Sequence, residues 1–307
     1  MEKSKYVISF LTKKLTRLEF IDKDEDYGYA KNVDGSGPQQ LVSERSNCPN
    51  NGLVCFSTIS RDPIYICNPV TKEYVYLPAV SSAKSYSINC GFGYHNSLDE
   101  YKVVRIYSEL FTYRAQVYTL GSGHGRKDTR TFEYSKKKRK IQFLKGPGIC
   151  ASGALHWLHS WETEIVAFDL ADEEFRWIPL PPLSPEKIVS KFYLKLLSGH
   201  LCVVRIDVGE KDKFIHIWAL QKKKKFGSYE TKLHEFIDSL SWSKKFCFSC
   251  TKDVAYMPFA VTKSNQVLMS DGESVFCYDF SEIAIKKLWN GSPRSGIQAI
   301  PHVNSLV

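Results

Sequence analysis

Apolar residues in this chain come in short runs, broken at regular intervals by Gly, Asn, Asp or Pro. One series reads Gly52-Leu53-Val54-Cys55-Phe56, Ile64-Tyr65-Ile66-Cys67-Asn68 and Tyr74-Val75-Tyr76-Leu77-Pro78. A second reads Gly153-Ala154-Leu155-His156-Trp157, Ile165-Val166-Ala167-Phe168-Asp169 and Phe175-Arg176-Trp177-Ile178-Pro179. From Gly to Asn/Asp is 16 residues in both, and from Asn/Asp to Pro is 10 in both. Runs rich in β-branched and aromatic residues between turn formers predict strands. Asn68 can bond the backbone two residues on while Pro69 presets φ, so that slot is a turn; Asp169 fills it in the second copy. Pro78 and Pro179 cannot donate to a ladder and end the outer strand.

Looser copies run from Gly199 to Ala219, from Gln266 to Leu288, and through Phe92-Gly93-Tyr94, Tyr101–Ile106 and Ala115–Leu120. Gly52, Gly153 and Gly199 stand 101 and 46 residues apart, or two units and one. Units of ~45 residues with about four short strands each are the pattern of propeller blades. The reading is an all-β fold: a single β-propeller-like domain of about six or seven small antiparallel blades. Residues 48–307 form that domain, and residues 1–47 are an N-terminal strand segment contributing to the closing blade. No long stretch keeps an i, i+3, i+4 period. Only Pro185–Leu197 and Leu233–Leu240 read as locally helical, in links between blades.

Composition supports a packed core, with 43% hydrophobic and 13% aromatic residues. The net charge of +9 is concentrated: Lys136–Lys140 and Lys222–Lys225 together supply nine positive charges, and the remainder is neutral. A nucleic-acid reader spreads basic residues over one face among aromatics, so nucleic acid is disfavoured as partner. The tracts read as solvated tips, with a nuclear-import patch at Lys136–Lys140 as the sharper alternative. Nine cysteines, mostly inside apolar runs, behave as small hydrophobes rather than a disulfide framework. With no signal-peptide pattern and no long apolar span, the expected location is intracellular, in cytoplasm, nucleus or both, and no membrane partner is expected.

Taken together, Asn51-Gly52-Leu53-Val54-Cys55, Cys67-Asn68-Pro69-Val70-Thr71-Lys72-Glu73, Gly91-Phe92-Gly93-Tyr94 and Asp99-Glu100-Tyr101-Lys102-Val103-Val104 resemble the plant F-box-associated domain. Gly153-Ala154-Leu155-His156-Trp157 and the final His302-Val303-Asn304-Ser305-Leu306-Val307 fit the same pattern, and the layout is more distantly similar to kelch propellers. The resemblance spans residues 45–307 and implies a substrate-holding module. In that family an N-terminal F-box docks on the linker protein of a cullin–RING ubiquitin ligase. Residues 1–47 show no F-box pattern and read as strand material, notably Val7–Leu11 and Leu15–Ile21. The implied partners are a protein substrate and, where an F-box is present, the ligase's linker protein.

Candidate chemistry is thin, and no catalytic residue, metal or cofactor is expected. His156 and His159 fall on opposite faces of a strand, and no further ligand completes a set. Cys247-Phe248-Ser249-Cys250 has the redox spacing in a strand-like context. Gly121-Ser122-Gly123-His124-Gly125 lacks the Lys-Ser/Thr of a phosphate loop. Asp99-Glu100 and Asp172-Glu173-Glu174 sit at turns and would serve a propeller hydrolase only if carboxyls converged from different strands. Binding is the favoured activity, inside a ligase adaptor or as a stand-alone interaction propeller. The variable loops Ser57–Pro63, His159–Glu164, Asp207–Lys213 and Ser270–Ser274 fall on one face, where recognition concentrates. Arg61, Trp161 and Lys211 are the contact candidates, the first two because Arg and Trp dominate interface hot spots.

Overall fold

The computed structural model describes residues 5–11, 18–21, 29–30, 53–58, 61–68, 74–77, 88–109, 112–120, 128–130, 144–159, 164–182, 189–209, 212–222, 240–251, 253–290 and 296–302. Every regular element among them is a strand. Blade 1 holds β4 (Val54–Thr58), β5 (Arg61–Cys67) and β6 (Tyr74–Tyr76). Blade 2 holds β7 (Ile88–His95), β8 (Glu100–Glu109), β9 (Thr112–Thr119) and β10 (Asp128–Arg130). Blade 3 holds β11 (Leu144–Ala151), β12 (Ala154–His159), β13 (Glu164–Asp169) and β14 (Phe175–Pro179). Blade 4 holds β15 (Val189–Leu197), β16 (His200–Val208), β17 (Asp212–Lys222) and β18 (Leu240–Thr251). Blade 5 holds β19 (Met257–Val261), β20 (Val267–Ser270), β21 (Ser274–Asp279) and β22 (Ala284–Asn290). A sixth sheet joins the two ends of the sequence in the order β23 (Gly296–His302), β1 (Lys5–Leu11), β2 (Leu18–Ile21) and β3 (Tyr29–Ala30).

Within each blade, neighbouring strands run antiparallel, and from β7 to β23 successive blades meet through their first strands. β7 touches β11 through one parallel bridge, Gly91 to Gly148. β11 then meets β15, β15 meets β19, and β19 meets β23. That is a propeller, and the all-β fold class read from the repeat is what the structure has. The two-residue turns between the first and second strands of blades 3 and 4 show why the repeat in the sequence is marked by Gly. Ser152-Gly153 and Ser198-Gly199 both have positive φ at each position (52° and 78°, 49° and 76°), as a type I′ hairpin turn requires. Gly takes that conformation without the Cβ penalty.

Most of the core among the described residues lies between blades, and one smaller cluster, around Phe259, Leu268 and Val275, belongs to blade 5 alone. Residues of blades 1, 2 and 3 share one cluster, including Cys55, Ile66, Phe92, Val104, Leu155, Trp157 and Phe168. Blade 4 has both faces covered: Val203 and Phe192 pack on Leu158, Ile165 and Ile178 of blade 3, while Val204 and Ile217 pack with Met269 and Tyr278 of blade 5. Burial on both faces explains why β16 reads as a nearly continuous apolar run. Val203 and Val204 are fully buried, and each such side chain contributes about 1.5–3 kcal/mol.

The helical reading of Pro185–Leu197 is corrected: Val189–Leu197 is strand β15, paired residue by residue with β16. Phe192 faces blade 3 while Tyr193 and Leu197 face blade 5. Two-sided burial produced an apolar pattern that a short window cannot tell from a helix. Leu240 likewise begins β18, and the rest of Leu233–Leu240 lies outside the described residues. The loop read as Ser57–Pro63 is shorter, because β4 runs to Thr58 and β5 starts at Arg61.

Candidate functional site

Strand direction alternates, so each blade puts its first and third connections on one face of the propeller and its second connection, with the link to the next blade, on the other. On the first face Asp169 and Asp279 are engaged by the turns in which they sit. Asp169 Oδ1 accepts from the backbone N–H of Ala171 (2.9 Å) and Asp172 (3.0 Å), and its Oδ2 accepts from Arg176 (3.1 Å). Asp279, in the same slot of blade 5, accepts from the Ser281 hydroxyl and backbone N–H and from Gln266 Nε2 (2.7 Å). Those donors, the Ser281 hydroxyl first, hold its carboxyl at about 2. The same face carries the clamp between blades 2 and 3. Buried Lys102 donates to Leu170 O (2.8 Å) and Glu173 (3.0 Å), with Glu100 at 3.5 Å.

The opposite face carries the loops between second and third strands, and in blade 4 it carries a buried polar cluster. Asp207 on β16 accepts from three strands at once. Arg205 Nε and Ser190 Oγ donate to its Oδ1 at 2.6 and 2.7 Å, and His216 Nε2 sits 3.1 Å from Oδ2. Cross-strand register builds this, since Ser190, Asp207 and Phe214 lie opposite one another, as do Phe192, Arg205 and His216. Opposed residues point to the same side of the sheet. Burial, aided by Lys244, lowers the His216 pKa, and Asp207 opposes the shift. A neutral ring donates Nε2–H to Asp207.

Serine, histidine and aspartate are thus together, but in the wrong order for hydrolysis. A nucleophilic serine must give its proton to the histidine. Ser190 instead donates to the carboxylate, which stands between it and His216. The arrangement ties β15, β16 and β17 together at the end of the blade where β16 gives way to β17. Beside it Phe214 stands 44% exposed, although it is a strand residue.

The carboxylates singled out at turns do converge: Glu100 of β8 and Glu173 of blade 3 meet at the Lys102 ammonium, where they pair with a cation across a blade seam. Asp99 accepts from the Tyr94 hydroxyl, and Asp172 pairs with Arg176. His156 and His159 are both buried on opposite sides of β12. His156 lies 3.2 Å from Ile149 O, and its burial lowers its pKa to about 4. Cys247 and Cys250 both belong to β18, the first exposed and the second buried. Among the described residues no group of three His, Cys, Asp or Glu could hold a metal ion.

Of the three contact candidates, Arg61 opens β5 next to the short connection at 59–60, and its side chain is not described. Trp161, between β12 and β13, and Lys211, between β16 and β17, lie outside the described residues. The sequence reading passed over Arg205, Asp207, His216 and Phe214. The signal was present in Val203-Val204-Arg205-Ile206-Asp207: two charges at i and i+2, on one side of a strand otherwise apolar throughout.

Comparison with known proteins agrees with this architecture. The profile of the F-box associated beta propeller domain matches residues 8–296. The chain belongs to that family. F-box protein At3g07870 of Arabidopsis thaliana is 27% identical over 205 residues, covering 56% of this chain and 46% of that protein. F-box/LRR-repeat/kelch-repeat protein At2g27520 of the same plant is 25% identical over 280 residues, covering 84% and 72%. The chain spans about half the length of the first curated relatives it matches. Among solved structures, one from a nidogen/laminin complex is similar at a TM-score of 0.50 and 12% identity, covering 98% of this chain and 99% of that one. At that identity the likeness concerns the fold alone. The F-box-associated propeller seen here is therefore shared with plant F-box proteins.

Proposed function

We propose that this F-box-associated propeller is a non-catalytic substrate-recognition module that holds a protein for ubiquitination by a cullin–RING ligase. Its relatives carry F-box names, which supports the ligase setting. The observation that carries the binding reading is the Asp207 cluster, which ties β15, β16 and β17 together on the face that carries the connections between second and third strands and so makes a fixed platform for them. Recognition sites concentrate on loops held by such scaffolds. Arg61, Trp161 and Lys211 remain the proposed contacts on that face.

The test is affinity purification of the full native gene product. Co-purification of the ligase's linker protein with a substrate that accumulates when the gene is silenced is the expected result. Absence of the linker protein would leave the stand-alone interaction propeller. Turnover of a glycoside panel, abolished by one carboxylate substitution, would replace binding with catalysis.

A further inference from the structure

Charge is unevenly divided among the blades. The stretch from Val189 to Thr251, which contains all of blade 4, carries eleven lysines and one arginine against six acidic residues. Its net +6 is two thirds of the +9 of the whole chain.

The blade 4 surface facing blade 3 divides into two zones. The inner zone is apolar and covered: Phe192 and Val203 are buried against blade 3. Trp242 Nε1 donates to Pro179 O across the seam at 2.8 Å. The outer zone, made of residues 214–218 of β17 and 244–249 of β18, is different. Register places Phe214 opposite Ser249, His216 opposite Cys247, and Trp218 opposite Lys244, so these six side chains share one side of the β17–β18 pair. Phe214, Lys244, Cys247 and Ser249 are exposed, and the Lys244 ammonium lies 5.7 Å from the Trp218 ring centre. Lys245 is exposed at the irregularity beside Lys244, and Asp212 is the exposed acid at the strand's start. Phe214 stands at one end of this strip, with Asp212 and His216 as its same-side neighbours along the strand, and Lys244 and Lys245 stand at the other end, about 13 Å away, so one extended segment can meet both the apolar ring and the basic pair.

We infer that the outer zone of β17–β18, with Phe214 as anchor and Lys244 and Lys245 as its basic flank, docks an extended acidic segment of a partner protein that carries a large apolar side chain. The charge surplus of blade 4 selects the acidic partner, and the exposed ring selects the apolar side chain. Single-stranded nucleic acid fits less well. It needs several open aromatic faces in succession, and here Trp218 is already covered by Lys244. This inference deepens the recognition reading above by naming the partner's chemistry and its seat.

Fluorescence anisotropy on the purified protein tests it. The probes are a labelled library of short peptides with one Trp, Phe or Leu among Asp and Glu, the same library with Lys in place of the acids, and labelled oligo-dT. The acidic library is expected to bind, and to bind more weakly as salt rises. Phe214→Ser and the double variant Lys244→Glu, Lys245→Glu should each weaken binding about tenfold with the thermal midpoint unchanged. The inference is overturned if the lysine library or oligo-dT binds as tightly as the acidic library, if neither variant weakens binding, or if binding falls only together with the midpoint. Linker-protein capture by the full gene product is scored separately. Loss of that capture with acidic-peptide binding intact removes the ligase setting alone, and loss of peptide binding with capture intact removes the docking zone alone.

Discussion

The seam between blades 2 and 3 and the seam between blades 3 and 4 use the same strand plan for different ends. At the first, backbones approach so closely that side chains are excluded. A Cβ on Gly148 would stand 2.7 Å from the Trp157 ring and 3.1 Å from Gly91 Cα, and one on Gly91 would stand 2.9 Å from the same ring. The two sheets merge there through the Gly91–Gly148 bridge, and Lys102 ties the turn face. At the second, two apolar clusters seal the inner zone, a buried Asp207 cluster ties the strands at one end, and the outer strands leave Phe214 in solvent. A propeller can lock one seam with glycine and tryptophan and leave its neighbour a surface to offer. Where packing is complete there is nothing left to bind with.

The contrast can be broken most severely at Trp157, which is fully buried on the two glycines. Trp157→Ala should cost about 3–5 kcal/mol in urea denaturation, as large-to-small core changes do. A loss no greater than that of an exposed tryptophan would show that the first seam is not the tighter one. Lys102→Met comes next. It leaves Leu170 O without its buried donor and the two glutamates without their shared cation. The expected cost is about 3 kcal/mol, toward the low end for a broken buried pair because Glu100 is 41% exposed.

His156 lies on the side of β12 that faces blade 4, and it supplies a pH readout of the second seam. Its folded pKa of about 4 is below the ordinary 6.5, so between those values the unfolded chain binds a proton that the folded chain does not. Stability from this group is therefore fully present above pH 6.5 and lost as pH falls through 4, by about 3 kcal/mol. Thermal midpoints followed across that range should fall for the native protein and fall less for His156→Leu. Parallel curves would mean that the ring is not buried as a neutral group. The smallest effect is expected at Phe214, where substitution by Ser should change stability by no more than about 0.5 kcal/mol. A core-sized loss there would mean that the outer zone is packed rather than exposed.

Much of this was legible in the residues. The paired copies from Gly52 and Gly153 gave the strands and their order, and the Asn/Asp slot appears as the Asp169 and Asp279 turns. Both signals are local: alternation, β-branching and turn chemistry act within a few residues. Val189–Leu197 was illegible for a reason of the same kind in reverse. With both faces buried it lacks the alternation that identifies a half-exposed strand. The candidate site was harder. Arg205 and Asp207 betray themselves by charge in an apolar strand, but His216 and Ser190 join them only through register, across intervals of 9 and 17 residues.

The sequence alone determined that the chain makes small antiparallel sheets in a repeated unit, because each strand and turn is specified by neighbours along the backbone. Tertiary structure decided which seams close. That Gly91 and Gly148 meet under one indole, that Glu100 and Glu173 share a lysine, and that β1 completes the sheet of β23 depends on contacts between distant residues. It also decided that Phe214 faces water while Val203, on the same side of the same blade, does not. Hydrophobicity says what a side chain prefers, but only the blade across the seam settles whether it is covered.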